Sequence, residues 1–498
     1  MKHSRIRQLA RWPRRQPMAR LIAGALVGIT LAGCADQPVQ PTPRAAYDLN
    51  TLQAGHAIDA AAAQAGAVAT GIWWHAYGDA QLDNLMELAG READSIQAAE
   101  ARLRQADAVS AALAANLRPA VNASATAGFD RFPDHASYPA PYAGHTGSDG
   151  LAGIDLSYHL DFWSQWHHQA DAAKSRAQAA GFELADARLV LQTALVLAYL
   201  KLDSAWRLRA LAVESMACRE GVLRLLAVRQ RAGIATDLQS IAAHDAVTLT
   251  RAELTRFDAE IAIRQHEIAA LLGQAPGFAD ALTQPHLQAL SDPAPLSRIP
   301  ASLLGYRPDV AARRSALEAA AQDVGAARAA FYPDINLLGF AGLQSLGLGY
   351  LLRAGSAAAS TGPAVTLPLF DGGRLQAQLG QRAAGYDQAV IAYNAAVVAA
   401  LQQAADGIVA VQAARARQRE AQSALAQHRH ALALLTVRRH GGLATDDELF
   451  VAQTTLLLSE RRAAEADAEL AGAQVTLIRA LGGAWAPSIS PTTQQDSA

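Results

Sequence analysis

Cysteine is scarce in this chain, which contains only two among its 498 residues. Cys34 follows a short apolar run near the N-terminus, whereas Cys218 lies within a stretch of helical pattern. Two cysteines in such different settings do not form a disulfide framework. Cys218 is therefore interpreted as a small core-facing residue rather than a reactive thiol.

Charged residues are also few, at 18% against 51% hydrophobic residues, which excludes a largely disordered chain. The formal net charge of −2 conceals an uneven distribution, because residues 1–33 hold seven basic residues and no acidic one. Beyond that segment, 36 basic residues stand against 45 acidic ones. A mildly acidic protein lacks the basic surface that supplies most of the affinity for nucleic acid, so no nucleic-acid partner is expected.

The basic N-terminal segment leads into a 13-residue apolar run, Leu21–Gly33, and then into Cys34. This pattern predicts a secretory signal peptide over residues 1–33. The run is too short for a membrane-spanning helix, which needs about 20 residues. Leu31-Ala32-Gly33-Cys34 resembles a bacterial lipobox, in which the cysteine is acylated, for example with palmitate, and becomes the mature N-terminus.

Residues 34–72 are predicted to form a lipidated N-terminal tether, because they carry three early prolines and a run of Ala and Gly. The acyl chains would provide an anchor, since each methylene buried in the bilayer contributes about 0.8 kcal/mol to the free energy of membrane binding. No later segment is apolar over 18 consecutive residues, so no transmembrane helix is expected. Any membrane-spanning part must then consist of strands.

The chain contains an internal two-fold repeat. Ile96–Pro119 matches Val310–Pro333 at an offset of 214, and Gly233–Asp237 matches Gly442–Asp446 at an offset of 209. The second offset holds to the end of both halves, so the helices there should have equal lengths.

Two structural repeats are therefore predicted, over residues 73–290 and 291–485, followed by a flexible C-terminal tail at 486–498. Each begins with a helix, at about 79–117 and 307–331, which a proline follows.

A β-hairpin follows in each repeat, at about 120–161 and 334–370. In the first strand the residues from Val121 to Phe129 at odd positions are apolar, and Asn122, Ser124 and Thr126 are polar. In the second, Ile154–Leu160 alternates in the same way. The strands of the second repeat are predicted near 335–343 and 364–369. Such alternation over about 10 residues is what a membrane barrel strand requires, although a half-buried sheet shows it too.

The remaining sequence of each repeat predicts a very long helix and a returning one. No proline occurs from 143 to 275 or from 369 to 486. Phe162–Gln230 and Gly373–Arg439 are helical in pattern, and a helix of that size is about 100 Å long. An average helix has only about 11–12 residues, so the chain is a coiled-coil or rod architecture.

Each long helix is predicted to end in a tight turn, at 231–238 and 440–447. Gly233 and Gly442 suit the left-handed position that terminates a helix. Thr236–Gln239 and Thr445–Glu448 are capping boxes that begin the antiparallel return helix. The fold class is thus mainly α, with long antiparallel helical hairpins and four β-strands per chain.

Four strands cannot close a membrane barrel, for which about 8 is the smallest number. Open strand edges in lipid would leave amide groups unpaired, so several chains must share one barrel. Three chains would supply twelve strands.

Several motifs occur in an order that resembles the outer-membrane efflux protein family, and the lipobox makes the chain similar to the OprM-like and NodT-like lipoprotein branch. The motifs are Trp74–Leu88, Arg307–Val310, Ala330–Leu337, Leu367–Arg374 and the two Gly-x-Ala-Thr-Asp tips. The resemblance covers residues 73–485. The chain departs from it at Ser164, where such proteins often carry glycine, and this bears on the local turn geometry.

The resemblance implies a homotrimer in the outer membrane of a Gram-negative bacterium, lipid-anchored and extending into the periplasm. Its strands would form a shared twelve-stranded β-barrel, and its helices an α-barrel that crosses the periplasm. A periplasmic membrane-fusion (adaptor) protein and an inner-membrane transporter of the RND or MFS type would be its partners. The implied function is the exit duct of a tripartite efflux system, passively conducting drugs or other toxic small molecules, with no cofactor.

The resemblance also implies that the channel closes at the helix tips. The predicted gate combines acidic residues, which three copies would bring together, with basic partners: Asp237, Asp446, Asp447, Arg229, Arg231, Arg438 and Arg439. The alternative is that these charges only cap helices or are solvated. The predicted contact with the adaptor comprises Gly233, Ile234, Ala235, Thr236, Gly442, Leu443, Ala444 and Thr445.

Two other functions fit the pattern less well. The same duct could serve a type I protein secretion system, or the chain could be a periplasmic coiled-coil adaptor or scaffold, although adaptors generally carry one hairpin rather than two. An enzyme is not expected, because His266-Glu267 lacks the second histidine of a zinc protease motif and no P-loop or nucleophile elbow occurs. No metal site is expected either.

Overall fold

The structure is a computed structural model that describes residues 45–47, 72–288 and 307–483. The predicted signal peptide, the acylation site Cys34, most of the tether and the C-terminal tail at 486–498 lie outside the described residues.

Helices make up most of the described chain. They are α1 (Ala80–Glu92), α2 (Asp94–Ala115), α3 (Gln165–Arg231), α4 (Asp237–Leu271), α5 (Pro308–Ala329), α6 (Arg374–His440) and α7 (Asp446–Ala480). The strands are β1 (Ala120–Arg131), β2 (Thr146–His159), β3 (Asp334–Leu346) and β4 (Ala357–Thr366). Short 3-10 helices cover Trp73–Tyr77, Pro276–Ala281, Leu348–Tyr350 and Ala354–Ser356.

The chain divides into two compact units, and each sequence repeat contributes to both. Among the described residues, one unit comprises 117–165 and 324–387 and contains the four strands. The other comprises 45–47, 72–116, 166–288, 307–323 and 388–483, and contains the helical hairpins.

The long helices confirm the equal lengths expected from the repeat. Helices α3 and α6 have 67 residues each, and the return helices α4 and α7 have 35 each. Leu195, Tyr199 and Ile268 are fully buried in one hydrophobic core, whereas Val397 and Ala400 belong to another. Burial of one large apolar side chain contributes about 1.5–3 kcal/mol, so packing rather than helix propensity holds these hairpins together.

The expectation that no helix is apolar enough to cross a membrane was too strict. By length and composition alone, both α3 and α6 contain an 18-residue window that passes such a test. In α3, 61% of that window is buried inside the chain, and in α6, 33%. The core helix of a soluble protein passes the same test, so two such helices are weak evidence for a membrane span.

The single helix predicted over 79–117 is wrong, because Ala93 adopts an extended conformation that separates α1 from α2. Ala93 is buried, and the carbonyl oxygen of Glu92 accepts a hydrogen bond from Gln97 Nε2 at 3.1 Å. Local helix propensity favours a continuous helix here. Core packing of Ala93 and the hydrogen bond from Gln97 instead stabilise a break between α1 and α2.

A buried aspartate joins three segments at the start of α1. The Asp79 carboxylate caps the helix by accepting from the main-chain N–H of Gln81 and Leu82. It also accepts from Tyr199 Oη of α3 at 3.0 Å and from the main-chain N–H of His286 at 2.8 Å. Burial raises the pKa of this carboxyl and the four hydrogen bonds lower it, with a net decrease.

A buried arginine immediately precedes α5. Arg307 is 6% exposed and donates to both carboxylate oxygens of Asp309, at 3.0 and 2.7 Å. It also donates to the carbonyl oxygen of Ala480 and to Gln403 Oε1, each at 2.8 Å. Arg307 thus ties the beginning of α5 to α6 and to the end of α7.

The four strands form one antiparallel sheet in the order β1-β2-β3-β4. Strand β2 starts eight residues earlier than predicted and β4 seven residues earlier, because Thr146–Gly153 and Ala357–Pro363 pair with their neighbours despite their Gly, Ser and Ala content. The main-chain hydrogen bonds between strands do not depend on side-chain type, so residue composition did not predict the first residues of β2 and β4.

Cys218 is a free, half-buried thiol in α3. Its Sγ lies 3.7 Å from Gln453 Oε1 of α7, so it occupies a contact between helices rather than a fully buried core position.

Candidate channel elements in the sheet and at the helix tips

The sheet has one apolar face. In the observed register, Val121 lies beside Leu156, and Leu156 beside Gly339. The next apolar row joins Ala123, Ile154, Ala341 and Ala359. Val121 and Ile154 are 64% and 53% exposed, so the described part of the chain does not cover this face. An uncovered apolar sheet face of this kind needs either lipid or another protein against it.

The opposite face is polar. Ser124 Oγ donates to Asp155 Oδ2 at 2.7 Å. Ser157 and Asn336 form a hydrogen-bonded pair across β2 and β3, at 3.1–3.2 Å. His159 Nδ1 lies 3.2 Å from Asp334 Oδ1. These contacts place the polar side chains of three strands on one surface, as the alternation predicts for the first repeat.

The second repeat departs from this alternation. Leu338 and Phe340 lie beside Ser157 and Asp155, on the polar face. The Phe340 ring covers Gly153, where a Cβ atom would lie only 2.5 Å from it. The sequence analysis missed this contact, because a cross-strand register is needed to place a phenylalanine over a glycine.

Strands β1 and β4 are the two edges of the sheet. Within the described residues, each of them pairs with one neighbour only, β1 with β2 and β4 with β3. Their outer main-chain donors and acceptors are therefore available for pairing with another chain.

The departure at Ser164 has a visible consequence in the turn between β2 and α3. Ser164 has φ 60°, in the left-handed region, and is the only non-glycine residue with positive φ in the described part of the chain. The Trp163 ring stacks on Tyr332 with centroids 4.7 Å apart, and its Nε1 donates to the carbonyl oxygen of Pro333. Ser164 thus adopts the left-handed backbone conformation that a glycine would adopt here, at a cost of about 1–2 kcal/mol in conformational free energy.

Both helix tips end in the same hydrogen-bonded turn. Gly233 and Gly442 each have φ 74°. The N–H of Ile234 donates to the carbonyl oxygen of Arg229, and the N–H of Leu443 to that of Arg438, both at 2.8 Å. This six-to-one bond together with the left-handed glycine is a Schellman motif. The predicted tip turns are confirmed in both position and geometry.

A capping box then begins each return helix, as predicted. Thr236 Oγ1 accepts from the N–H of Gln239, and Thr445 Oγ1 from the N–H of Glu448. The glutamine and glutamate side chains in turn accept from the threonine N–H groups. The bond from the Thr445 N–H lowers the pKa of Glu448. The cap residues are the threonines, so Asp237 and Asp446 are the first helical residues rather than caps.

The aspartate at the first helical position accepts from the preceding helix at both tips. Arg439 Nε lies 2.5 Å from Asp446 Oδ1, and Gln230 Nε2 donates to Asp237 Oδ1 at 2.7 Å. The hydrogen bond from Arg439 lowers the pKa of Asp446, and Asp446 raises the pKa of Arg439. Gln230 was missed as a partner of Asp237, although it occupies the position of Arg439 at the 209 offset.

One ion pair links the two tips to each other. Arg229 Nη1 of the first hairpin lies 2.5 Å from Asp447 Oδ2 of the second. At the 209 offset, Arg229 corresponds to Arg438 and Asp447 corresponds to Leu238. The first repeat thus has a leucine where the second has Asp447. An ion pair equivalent to Arg229–Asp447 is therefore not possible between Arg438 and Leu238.

The other two predicted gate residues bond to main-chain carbonyls. Arg438 Nη2 donates to the carbonyl oxygen of Leu443 at 3.1 Å, and Arg231 Nε to that of Ala227 at 3.2 Å.

The tips also expose apolar side chains. Of the residues predicted to meet an adaptor, Ile234 is 76% exposed and Leu443 is 71% exposed. Leu238 and Val437, at 75% and 72%, share this property and were missed. A leucine or valine close to a predicted tip turn, where little of the chain can cover it, is a sequence signal that could have identified them.

Comparison with known proteins identifies the class. The sequence matches the family described as outer membrane efflux protein over residues 85–274 and 299–483. Fusaric acid resistance protein FusA of Burkholderia cepacia is 34% identical over 368 residues, which cover 73% of this chain and 69% of that protein. Outer membrane protein OprJ of Pseudomonas aeruginosa is 31% identical over 484 residues, 93% and 96% of the two chains. The crystal structure of VceC from Vibrio cholerae has 34% identity and a TM-score of 0.74, covering 82% of this chain and 98% of that one.

The chain therefore belongs to the outer membrane efflux protein family. It is an outer-membrane efflux channel and not an enzyme. The alternative of a periplasmic adaptor or scaffold is set aside by this membership.

Proposed function

We propose that three copies of this chain form the exit duct of a tripartite efflux system. The observation that carries the proposal is a four-stranded sheet with an apolar face and a mainly polar one. Its two edge strands have no further partner among the described residues. Pairing β1 of one copy with β4 of the next would satisfy both edges and give twelve strands in one closed barrel. The apolar face would then contact lipid, and the polar face, with Asp155 and Asn336, would line water.

Cys34 would hold the chain in the outer membrane by its acyl chains, with the helical hairpins extending into the periplasm. One acyl chain gives only marginal, reversible binding to a membrane. The anchor would therefore assist insertion of the strands rather than replace them.

A periplasmic adaptor would contact the tip turns, and an inner-membrane transporter of the RND or MFS type would supply the energy. The exposed Ile234 and Leu443 favour an apolar contact at each tip. Both belong to the predicted adaptor contact, Gly233–Thr236 and Gly442–Thr445. Cysteines placed in these turns should crosslink to the adaptor in intact cells, and absence of crosslinks at all eight positions would contradict the assignment.

The cargo would be small organic molecules. Relatives with related sequences are named for fusaric acid resistance, toluene efflux and pyoverdine export. A passive duct imposes little selectivity of its own, so the inner-membrane transporter would determine which substrates are exported. These names favour small-molecule efflux over a type I protein secretion duct.

The gate would lie at the tips and would be held closed by the ion pairs Arg229–Asp447 and Arg439–Asp446. Asp237 would add a third acidic group per copy, while Arg231 and Arg438 would brace the turns through carbonyl groups. Replacing Asp446 and Asp447 with Ala should increase conductance in planar bilayers and reduce cation selectivity. Unchanged conductance and selectivity would exclude these carboxylates from the gate.

Electron microscopy of detergent-extracted protein tests the whole assembly. The proposal predicts three-fold particles with a hollow tube longer than about 100 Å, the length of a 67-residue helix. Monomeric rods released from the membrane fraction without detergent would refute it.

A further inference from the structure

Residues 45–47 of the N-terminal segment are hydrogen-bonded to the second long helix through the side chain of Asn394. Asn394 of α6 donates from Nδ2 to the carbonyl oxygen of Ala45 at 3.1 Å, and its Oδ1 accepts from the N–H of Tyr47 at 2.8 Å. A single amide thus binds main-chain groups two residues apart, as a neighbouring strand would. Because it bonds only main chain, the contact does not depend on the side chains of residues 45–47.

We infer that Asn394 is a positioning residue that converts the acyl anchor from a loose attachment into a positional constraint. The inference rests on the proposed acylation of Cys34. Ala45 is the eleventh residue after Cys34, and an extended chain of 11 residues spans at most about 36–40 Å.

The shorter connection has a kinetic consequence. The effective concentration that a flexible tether provides falls roughly as the −3/2 power of its length. Loss of the contact would lengthen the connection beyond these 11 residues. A doubling of its length would lower the effective concentration of the body near the bilayer by about threefold, and insertion of the strands into a membrane would slow accordingly.

The internal repeat shows that alanine is compatible with this helix position. At the 209 offset, Asn394 of α6 corresponds to Ala185 of α3, an exposed residue in a helix of the same length. Asn394→Ala therefore introduces the residue that the first repeat already has there. Gln388→Ala is the matched control, because Gln388 is an exposed amide on the same helix.

Hydrogen exchange of the full acylated protein in detergent tests the contact directly. In Asn394→Ala, the Tyr47 amide loses its acceptor and should exchange about fivefold or more faster. The Gln388→Ala control should leave that rate unchanged. An unchanged Tyr47 rate in Asn394→Ala would overturn the contact itself.

The positional role is tested by crossing this variant with loss of the anchor. Incorporation of purified protein into phospholipid vesicles should slow by about threefold in acylated Asn394→Ala. It should not slow in a Cys34→Ser background exported with an ordinary cleavable signal. Equal slowing in both backgrounds would mean that Asn394 only supports the helix, and would overturn the role.

Acylation is measured separately, from the mass of the mature N-terminal peptide. An unmodified Cys34 would overturn the inference. It would leave the trimeric channel untouched, because the channel is tested by particle symmetry and conductance.

Discussion

The cross-tip ion pair offers a test in which the protein supplies its own control. Arg229 bridges to Asp447 of the other hairpin, whereas Arg438, its equivalent in the second repeat, donates to the carbonyl oxygen of Leu443 of its own hairpin. Arg229→Gln and Arg438→Gln remove the same charge from the same helix position. Only the first substitution breaks a link between the two hairpins.

The expected magnitude follows from exposure and symmetry. The side chains of Arg229 and Asp447 are 29% and 57% exposed, so the pair belongs with exposed ion pairs. Such pairs contribute about 0.2–1 kcal/mol each. Three copies in the proposed trimer would contribute roughly 0.6–3 kcal/mol to the closed state. Arg229→Gln should then shift the open-to-closed ratio by about threefold to 150-fold.

Single-channel conductance in planar lipid bilayers measures this ratio as the fraction of time spent open. Arg229→Gln should raise that fraction and Arg438→Gln should change it much less. High salt should reduce the difference, because exposed pairs are screened. Equal effects of the two substitutions, or no effect of either, would refute the conclusion that the asymmetry of the tips controls opening.

Three further predictions concern single side chains. Ser164→Gly should raise the free energy of unfolding by about 0.5–1 kcal/mol, because relief at positive φ exceeds the added entropy of the unfolded chain; a decrease in denaturant unfolding would contradict this. Arg307→Ala should lower it by about 2–4 kcal/mol, since the Ala480 carbonyl and Asp309 lose a buried partner, and a loss below 1 kcal/mol would show that water replaces the guanidinium. The pKa of Asp446 is lowered by its bond from Arg439, so the contribution of this pair is present above the ordinary Asp range and is lost as pH falls below about 4. Conductance limited by this pair should therefore be constant from about pH 7 to 5 and rise only below about 4; a rise near pH 6 would point to histidine instead.

The sequence by itself determined the helical hairpins and the tips. The absence of proline over more than 100 residues, twice, predicted the two long helices, and left-handed glycines followed by capping boxes predicted where each one turns. These signals arise from interactions between residues one to five positions apart, so a short segment of the sequence is enough to predict them. The 209 offset then carried them from one repeat to the other.

Tertiary structure decided the features that depend on residues far apart in the chain. The helix break at Ala93 comes from core packing, and the early start of β2 comes from a ladder with β1 that its glycine-rich composition conceals. The link from Arg229 to Asp447 joins positions 218 residues apart, and that from Asn394 to Tyr47 joins positions 347 apart. Periodicity and capping rules describe neighbours along the chain, whereas these contacts depend on which helices pack together and in which rotation.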